Sequence, residues 1–542
     1  MASPLHVQLV QRAVAAFQRR AFAEAAGFAQ QVLSQFGEDA NALMILAGIR
    51  GEAGDTTGSI ELYERARAVM PSHIHVLTNL AAAYRTMGRL HEARIVLEEA
   101  LQIDRRFAIG HNNLGNVLLD IGDRDGAKRA YERAVVVQAN YAEPVAGLAR
   151  IAEEEHRLDD ARRLAERALS LQASNTSAAM TRARAVYRLG DAARAAADLA
   201  ALLRSPALSV TNRVVAEGYL GEALDKLGRY DEAFAAFTRA NQQQYAQGAA
   251  TWAQDQGPLS LHSVERLTAF VESVDLLTWQ PAPPLQAGDP TPVFLVGFPR
   301  SGTTLLDQIL ASHPKITTLE ERDTLVDSAM ALVKPEGDFD SWATLSDADI
   351  EQWRTLYWQQ VQTGLMGLRM RDVFVDKLPL NAVLLPLVYR LFPDAKIVLA
   401  VRDPRDTVLS CYQQRFGMNA AMFQLLRLDT ATRYYDAVMK LVRASRAKLP
   451  LAVHEVRYEA VVSDFDATVG GLLEFLGVPW DDGVRNYAET AKTRAIGTPS
   501  ASQVVQPLYA TAQGKWRNYR SFLEPVLPAL EPWVRTFGYE PS

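Results

Sequence analysis

A short stretch in the second half of the chain carries the groups with which proteins bind phosphate. Gly297 and Gly302 allow close backbone approach, so that successive N–H groups can converge on an anion. Arg300 adds a fixed cation, and Thr303 and Thr304 add hydroxyl donors. Apolar residues precede this loop and a leucine-rich run follows it, a pattern typical of strand, loop and helix. The stretch therefore predicts an anion-binding loop at the N-terminus of a helix.

The spacing of the two glycines is that of the triphosphate-binding motif G-x-x-x-x-G, but Thr303 occupies the position where that motif requires lysine. This difference disfavours a triphosphatase. The loop instead resembles the 5′-phosphosulfate loop of sulfotransferases, in the form seen in protein-tyrosine sulfotransferases and related bacterial enzymes. The resemblance implies that the donor 3′-phosphoadenosine 5′-phosphosulfate (PAPS) is bound by Pro299, Arg300, Ser301, Gly302, Thr303, Thr304 and Leu305. For the loop alone, the strand–loop–helix of another P-loop protein is the alternative.

Two residues downstream resemble catalytic positions of the same family. Glu321, the second member of a Glu-Glu pair, falls where the family has its proposed general base. A base is needed because the acceptor hydroxyl loses its proton as it attacks sulfur. Lys377 resembles the lysine that contacts the bridging oxygen and the sulfonate, and the resemblance implies catalytic roles for Arg300 and Ser500 as well. The alternatives are a surface acidic pair at a helix start and, for neighbouring Asp376, a magnesium ligand as in ATPases.

The element that binds the ribose 3′-phosphate is also implied by resemblance. Arg402 stands at the end of a predicted strand and Ser410 about two helical turns farther on, so that both can face one anion. A generic Arg-Asp-Pro turn is the alternative. The chain departs from the family at one point, because a further family arginine falls on Gln414, with Arg415 next to it.

Three more residues complete the donor site that the resemblance implies. Tyr458 follows a predicted strand and resembles a nucleotide-contacting tyrosine, with a core tyrosine as the alternative. Ser500 and Lys515 resemble the C-terminal nucleotide lid, which places both on the 5′-phosphosulfate.

The residues before these groups predict the sheet that must position them. Apolar runs end near Gly297, Lys377, Val401 and Tyr458, and a candidate site residue lies at or just after each end. Open α/β sheets bind ligands at the carboxyl ends of parallel strands. We expect a three-layer α/β, P-loop-like sulfotransferase domain with a parallel sheet over residues 291–542.

The first half of the chain is an array of internal repeats. Gly54, Gly88, Gly122 and Gly190 share one 34-residue register, with His156 in the slot between the last two. Small residues recur at fixed distances from each slot, as in the tetratricopeptide repeat, a helix–turn–helix unit that this pattern resembles. We expect an all-α solenoid of about seven helix pairs over residues 1–246, then a linker with one bridging helix over residues 247–290.

Such a solenoid presents a concave groove to peptides or partner proteins, or serves as a structural or dimerising arm. Asn79, Asn112, Asn113 and Asn116 fall on the first helices of their repeats. They are candidates to clamp a peptide backbone, or else lie on a solvated face. The repeats favour a protein or peptide acceptor held by the array, and a homodimer stays open.

Composition argues against several other classes of protein. A net charge of −6 over 542 residues argues against nucleic-acid binding. The single cysteine, Cys411, excludes an intramolecular disulfide, fits a cytoplasmic location and is most simply a packing residue. The nine histidines are scattered, so that no metal site is predicted. We find no pattern typical of a targeting segment or a membrane span.

These observations predict a PAPS-dependent sulfotransferase that moves a sulfuryl group to an acceptor hydroxyl. The acceptor can be a protein tyrosine, a carbohydrate or a small hydroxylated metabolite. One alternative is a P-loop kinase or ATPase, which would need magnesium and a nucleoside triphosphate. The other is a repeat scaffold with an inactive catalytic domain.

Overall fold

The computed structural model describes residues 3–254, 256–285, 290–334, 336, 339–493 and 513–541, with the side chains of residues 492 and 493 left out. It divides into two compact units, Met1–Ser209 and Val210–Ser542. Between residues 3 and 209 the structure describes twelve helices: α1 (Pro4–Gln18), α2 (Phe22–Phe36), α3 (Ala40–Glu52), α4 (Thr56–Val69), α5 (Ile74–Thr86), α6 (Leu90–Ile103), α7 (Ala108–Ile121), α8 (Arg124–Val137), α9 (Ala142–Glu154), α10 (Leu158–Leu171), α11 (Thr176–Arg188) and α12 (Ala192–Leu203).

The repeat register is visible in the turns and in the packing of these helices. Gly122 and Gly190 have φ angles of 94° and 101°, and His156, which takes the same slot without being a glycine, has a φ of 61°. The small residues of the register, such as Ala81 and Ala100, are fully buried. Small side chains let two helices approach closely, and a left-handed residue turns the chain between them. The predicted helical solenoid is therefore confirmed.

The second unit opens with three helices: α13 (Val210–Lys226), α14 (Tyr230–Trp252) and α15 (Leu261–Ser273). The repeat spacing assigns α13 and α14 to the solenoid as its seventh pair, whereas their contacts include them in the second compact unit. The stacked rings of Phe234 and Phe522, whose centroids are 4.0 Å apart, join α14 to the C-terminal part of the chain. Helix α15 lies within the stretch predicted as a linker.

A five-stranded sheet forms the centre of the second unit. Its strands are β1 (Val293–Gly297), β2 (Ile316–Glu320), β3 (Val373–Lys377), β4 (Lys396–Val401) and β5 (Ala452–Arg457). They are all parallel and lie in the order β2-β3-β1-β4-β5. The chain leaves β1 toward one side of the sheet and β4 toward the other, which makes the β1–β4 boundary the switch point where such sheets bind ligands.

Helices cover both faces of this sheet. In the described part after β1 they are α16 (Thr303–Ala311), α17 (Val326–Leu332), α18 (Asp347–Leu365), α19 (Leu385–Leu391), α20 (Pro404–Gln413), α21 (Ala420–Gln424), α22 (Leu428–Lys448), α23 (Tyr458–Ser463), α24 (Phe465–Leu476), α25 (Tyr487–Thr493), α26 (Arg520–Leu523) and α27 (Leu527–Thr536). Short 3₁₀ turns cover Leu276–Thr278, Phe339–Thr344, Pro379–Leu384, Asp482–Asn486 and Lys515–Tyr519.

Alternate residues of each strand enter two separate cores. Phe294 of β1 joins the core that contains Val361 of α18 and Tyr434 of α22. Leu295, its neighbour, joins the core that contains Ile309 of α16. Alternation along a strand sends successive side chains to opposite faces, so two buried faces demand two layers of helices. The three-layer α/β architecture predicted from the sequence is confirmed.

Candidate active site

The phosphate loop joins β1 to α16 and is built around two glycines. A Cβ atom at Gly297 would lie 2.6 Å from both the carbonyl oxygen of Ala400 and Oγ of Ser301. At Gly302, which has a φ of +99°, a Cβ would lie 2.9 Å from the ring of Tyr458. Ser301 is buried, and its Oγ has no hydrogen-bond partner among the described residues. A buried hydroxyl beside a glycine cradle and a helix N-terminus fits an anion.

The loop meets the second phosphate element at the β1–β4 boundary. Nε of Arg300 donates to Oγ of Ser410 over 3.0 Å. Nη1 of Arg402 donates to the carbonyl oxygen of Arg300 over 3.3 Å, and its guanidinium lies over the ring of Tyr458, 5.0 Å from the centroid. The structure therefore brings together four residues that the resemblance assigns to one nucleotide.

Position and burial explain why Arg402 is held there. It follows the last residue of β4, and Asp403 then caps α20 by accepting the backbone N–H of Arg405 over 2.9 Å. The Arg405 side chain also donates to Asp403, over 3.0 and 2.8 Å. Tyr458 is partly buried, and burial raises the pKa of its hydroxyl, a shift that the charges of Arg402 and Arg300 oppose. The aromatic ring and the two cations thus share one wall of the site.

A cluster of carboxylates and one lysine lies at the ends of β2 and β3. Nζ of Lys377 is 2.9 Å from Oε1 of Glu321 and 3.1 Å from Oε1 of Glu320. The strand register pairs Glu320 with Lys377 directly, and the backbone N–H of Glu321 donates to the Lys377 carbonyl oxygen over 2.7 Å. Lys377 is fully buried, whereas the Glu321 side chain is 34% exposed. Glu321 can therefore be reached from outside, while Lys377 is fixed behind it.

The two acidic residues differ in their surroundings. The Glu320 side chain is only 11% exposed. Burial raises the pKa of Glu320, the Lys377 ammonium opposes this shift, and the nearby carboxylate of Asp307 adds to it. Sequence reasoning assigned a role to Glu321 alone, and missed Glu320 because its contact with Lys377 comes from strand pairing.

Asp376, the residue before Lys377, is held by hydrogen bonds at one of its two carboxylate oxygens. It is fully buried, and its Oδ2 accepts hydrogen bonds from Thr324 over 2.5 Å and from Tyr357 over 3.2 Å. Burial raises the pKa of Asp376 to about 7. Thr324 belongs to the loop after Glu321 and Tyr357 to α18, so Asp376 joins these two elements, while its Oδ1 has no hydrogen-bond partner among the described residues. The alternative of Asp376 as a magnesium ligand stays a prediction. Tyr357 lies in a stretch of sequence that carries no chemical motif.

The C-terminal segment reaches the same region through α20. Asp406 accepts the backbone N–H groups of Gly514 over 2.6 Å and Trp516 over 2.7 Å. Burial raises the pKa of Asp406, which Arg402 opposes. Nζ of Lys515 donates to Oε1 of Gln413 over 3.0 Å. Ser500, the other residue predicted for the lid, lies outside the described residues.

Gln414, which stands where the family has an arginine, and its neighbour Arg415 have different surroundings. The Gln414 amide donates to the carbonyl oxygen of Arg415 over 3.3 Å. The Arg415 guanidinium lies over the ring of Tyr219, 4.3 Å from its centroid, and 3.2 Å from Oε1 of Glu222. Both contacts are with α13, a helix that the sequence assigned to the repeat array.

Cys411 packs behind the phosphate loop. It is buried, and its thiol donates to the carbonyl oxygen of Pro299 over 3.2 Å. Burial raises the pKa of the Cys411 thiol to about 12. A protonated, enclosed thiol fits the packing role predicted for it.

The described residues contain neither a metal-binding cluster nor a membrane-spanning helix. Across residues 3–254 and the later described ranges, no three His, Cys, Asp or Glu side chains stand close enough to hold a metal ion. In the same part of the chain no helix has the length and apolar character needed to cross a bilayer.

Comparison with known families agrees with this architecture. Residues 292–482 match the model of the sulfotransferase family. Residues 38–106 and 112–178 match models of the tetratricopeptide repeat. The chain therefore carries tetratricopeptide repeats followed by a sulfotransferase-family domain, and both resemblances seen in the sequence are confirmed.

Individual relatives cover parts of the chain. An uncharacterized protein of Aquifex aeolicus is 29% identical over 347 residues, which are 61% of this chain and 43% of that protein. This chain thus spans less than half of that relative. Protein-tyrosine sulfotransferase A of Caenorhabditis elegans is 27% identical over 265 residues, 46% of this chain and 67% of its own. A solved structure of Pseudomonas aeruginosa pilF covers 39% of this chain and 95% of its own at 21% identity and a TM-score of 0.35.

Proposed function

We propose that the protein transfers a sulfuryl group from PAPS to the hydroxyl of an acceptor. One observation carries the proposal. The phosphate loop with Arg300 and Arg402, and the cluster of Lys377 with Glu321, both lie at the carboxyl ends of strands in one parallel sheet. An anion site and a proton-accepting group on the same edge are what sulfuryl transfer to a hydroxyl requires.

In this proposal the β1–β4 half of the edge binds the donor. The N–H groups at the start of α16, with Ser301, Thr303 and Thr304, bind the 5′-phosphosulfate, and Arg402 with Ser410 binds the 3′-phosphate. When bound, PAPS supplies the sulfuryl group and a phosphate leaving group. The unpartnered Oγ of Ser301 and the glycine cradle support this fit.

In the β2–β3 half, Glu321 takes the proton of the acceptor hydroxyl at its carboxylate. Its partial exposure makes it reachable, and the ion pair with Lys377 holds its carboxylate in place. The Lys377 ammonium provides positive charge beside the reacting oxygens. Arg300 contributes a second cation from the loop. Ser500 is a further proposed donor contact, from the resemblance alone.

For the acceptor we propose a protein tyrosine. The support is the name of the Caenorhabditis elegans relative and the presence of a repeat array, since such arrays bind peptides and proteins. In the array, the Asn112 side chain is buried and Oδ1 of Asn116 accepts from Tyr131 over 2.7 Å. Asn79 is exposed and Asn113 half-buried, so these two are the better candidates to touch a peptide. A cytoplasmic location and a homodimer stay predictions.

The test is calorimetric titration of the full chain with 3′-phosphoadenosine 5′-phosphate, with ATP and magnesium run in parallel. We expect binding of the bisphosphate, loss of binding in Arg402→Ala, and retained binding in Glu321→Gln. Binding of ATP alone would favour a kinase or ATPase, and binding of neither nucleotide would favour a scaffold.

A transfer assay separates donor binding from chemistry. Labelled PAPS is incubated with a tyrosine-containing peptide and with its phenylalanine counterpart. Labelling of the first peptide alone, lost in Glu321→Gln, is the expected result. Equal labelling of both peptides contradicts the tyrosine acceptor, and undiminished transfer by Glu321→Gln contradicts the assignment of the base.

A further inference from the structure

Helix α14 is anchored on the helix that carries Ser410. The ring of Phe234 stacks with Tyr412 at 5.3 Å between centroids. Oγ1 of Thr238 and the Tyr412 hydroxyl are 2.8 Å apart, and Nδ2 of Asn241 donates to the Tyr412 carbonyl oxygen over 2.9 Å. Stacked aromatic rings and buried hydrogen bonds make this a packing contact between α14 and α20.

Helix α13 meets the same region in a different way, through charge. Asp225 lies 2.8 Å from Nζ of Lys515 and accepts the hydroxyl of Tyr519 over 2.5 Å. One helical turn earlier, Glu222 lies 3.2 Å from Nη1 of Arg415. Residues three apart on a helix share one face. Two carboxylates on one face of α13 therefore hold two cations of the C-terminal half of the chain.

The surface of α13 is shaped to receive Arg415. A Cβ atom at Gly218 would lie 2.1 Å from Nη1 of Arg415, and the guanidinium lies over the Tyr219 ring. Burial raises the pKa of Glu222, and the charges of Arg415, Lys515 and Arg300 oppose the shift. Since Arg300 belongs to the phosphate loop, the Glu222 carboxylate lies within electrostatic range of that loop.

We propose that α13 forms part of the donor site, with Asp225 as a positioning residue for Lys515 and Glu222 as a positioning residue for Arg415. The inference rests on the proposed function, because Lys515 is one of the residues that the sulfotransferase resemblance assigns to the donor. It extends that function in one respect, because α13, a helix of the repeat pattern, holds in place the Lys515 and Arg415 cations that recognise the phosphates of a nucleotide.

The contacts of Lys515 indicate that Asp225 holds its ammonium group in position and does not only neutralise its charge. An ammonium group has three donor protons, and the Gln413 and Asp225 contacts use two of them. No hydrogen bond to a described residue takes the third, and the side chain is 31% exposed. A lysine stem that is already held loses less conformational freedom when an anion binds, which increases affinity. In the same way Arg415, which stands beside the family's arginine position, is held before the donor arrives.

A double-mutant cycle on the full chain tests the role of Asp225. The variants are Asp225→Asn, Lys515→Met and both together, and the readout is the Kd for 3′-phosphoadenosine 5′-phosphate at two salt concentrations. We expect Asp225→Asn to raise Kd about tenfold, as loss of a hydrogen bond to a charged group does. In the Lys515→Met background the same change adds nothing, because Asp225 acts through Lys515.

The interface itself supplies the matched control. Thr238→Val removes the hydrogen bond that joins α14 to Tyr412 of α20 and touches no cation, so it leaves Kd unchanged. Glu222→Gln is expected to raise Kd in the same direction as Asp225→Asn, and Asp225→Glu to recover part of the loss. In a transfer assay, KM for PAPS rises in Asp225→Asn while kcat changes little.

Failure of the proposed function and failure of the inference about α13 give different results. If the unaltered chain does not bind the bisphosphate, the proposed function fails. If it binds and Asp225→Asn binds equally well or more tightly, only the inference is overturned. Additive losses in the cycle, or an equal loss in Thr238→Val, reduce α13 to a packing element and overturn it as well.

Discussion

The two halves of the sheet's carboxyl edge treat their cations differently. In the β1–β4 half, Arg300 donates to the Ser410 hydroxyl and Arg402 to a carbonyl oxygen, both of them neutral acceptors. In the β2–β3 half, Lys377 contacts two carboxylates. A hydrogen bond to a neutral acceptor fixes the direction of a cation, whereas a carboxylate also forms an ion pair with it. In the proposed function the first half holds an anion and the second accepts a proton.

Replacing the cation of the acidic half has the largest expected effect. In Lys377→Met two carboxylates face each other without a buried partner, so we expect a loss of about 3–5 kcal/mol in unfolding free energy. Loss of the charge beside the reacting oxygens lowers kcat about 10³-fold. All eight tryptophans lie after residue 209, so tryptophan fluorescence in urea reports on the second unit alone.

A second substitution separates the two effects of Lys377→Met. Adding Glu320→Gln removes one of the stranded carboxylates and is expected to recover part of the stability, since Glu320 is the more buried acid. Activity stays low, because the cation is still missing. Recovery of activity together with stability would contradict a direct role for Lys377.

Gly302→Ala tests the donor half. The new Cβ meets the Tyr458 ring at a left-handed position, so we expect about 1–3 kcal/mol of strain and a 10- to 100-fold weaker Kd for the bisphosphate, at the roughly 1.4 kcal/mol per decade of affinity. Gly417→Ala is the matched control, because a Cβ there meets nothing within 4 Å. An unchanged Kd in Gly302→Ala would show that the loop does not carry the donor.

Asp376→Asn changes how stability depends on pH. The folded-state pKa of Asp376 is raised from 3.8 to about 7, so the protonated form is favoured by folding. The stability that protonated Asp376 contributes to the folded state is fully present below about pH 4 and is lost as the pH rises from about 4 to 7. Above about pH 7 the stability no longer changes through this group. The free energy of unfolding falls by about 4 kcal/mol over this range, because the pKa differs by about three between the two states and each pKa unit corresponds to about 1.4 kcal/mol.

In Asp376→Asn this part of the pH dependence is absent, and the difference from the unaltered chain is measured by urea unfolding at pH 5 and pH 7.5. The Thr324→Val variant, which removes one hydrogen bond but keeps the acid, retains the pH dependence. A parallel pH response of Asp376→Asn and the unaltered chain would contradict the raised pKa.

Ser301→Ala has the smallest expected effect and tests anion binding in the β1–β4 half. The hydroxyl is buried without a partner among the described residues, so removing it does not lower stability. Donor binding weakens about three- to tenfold, since one hydrogen bond to a charged group is lost. Ser445→Ala, a buried hydroxyl of the same kind on α22, leaves donor binding unchanged.

Local constraints made the solenoid and the phosphate loop predictable. A left-handed residue every 34 positions marks each turn, and the loop is a continuous stretch of sequence, so both appear without knowledge of the fold. The acidic half depends on pairing between distant strands. Strand β2 is only Ile316–Glu320, with two threonines, and it was not predicted as a strand, so the register that sets Glu320 against Lys377 stayed hidden.

The contacts that hold Asp376 in the β2–β3 half could not be predicted either, for a related reason. Tyr357 reaches Asp376 from α18 only after the helix packs on the sheet, and its stretch carries no motif. The contacts of α13 were hidden by the repeat pattern itself, because the spacing that identifies a repeat helix says nothing about what its outer face touches. Resemblance named Glu321, Lys377, Arg402 and Ser410, and their contacts arise from the fold.

The enclosed thiol of Cys411 has a practical consequence for labelling. It is the single cysteine of the chain, only 1% exposed, and its raised pKa keeps it protonated at neutral pH. Maleimide dyes react with thiolates, so the natural protein is nearly inert toward them. A cysteine introduced at an exposed site of the repeats, such as Val136, would carry the dye alone. Fluorescence from that single probe could then follow an acceptor as it reaches the array, without first removing any native residue.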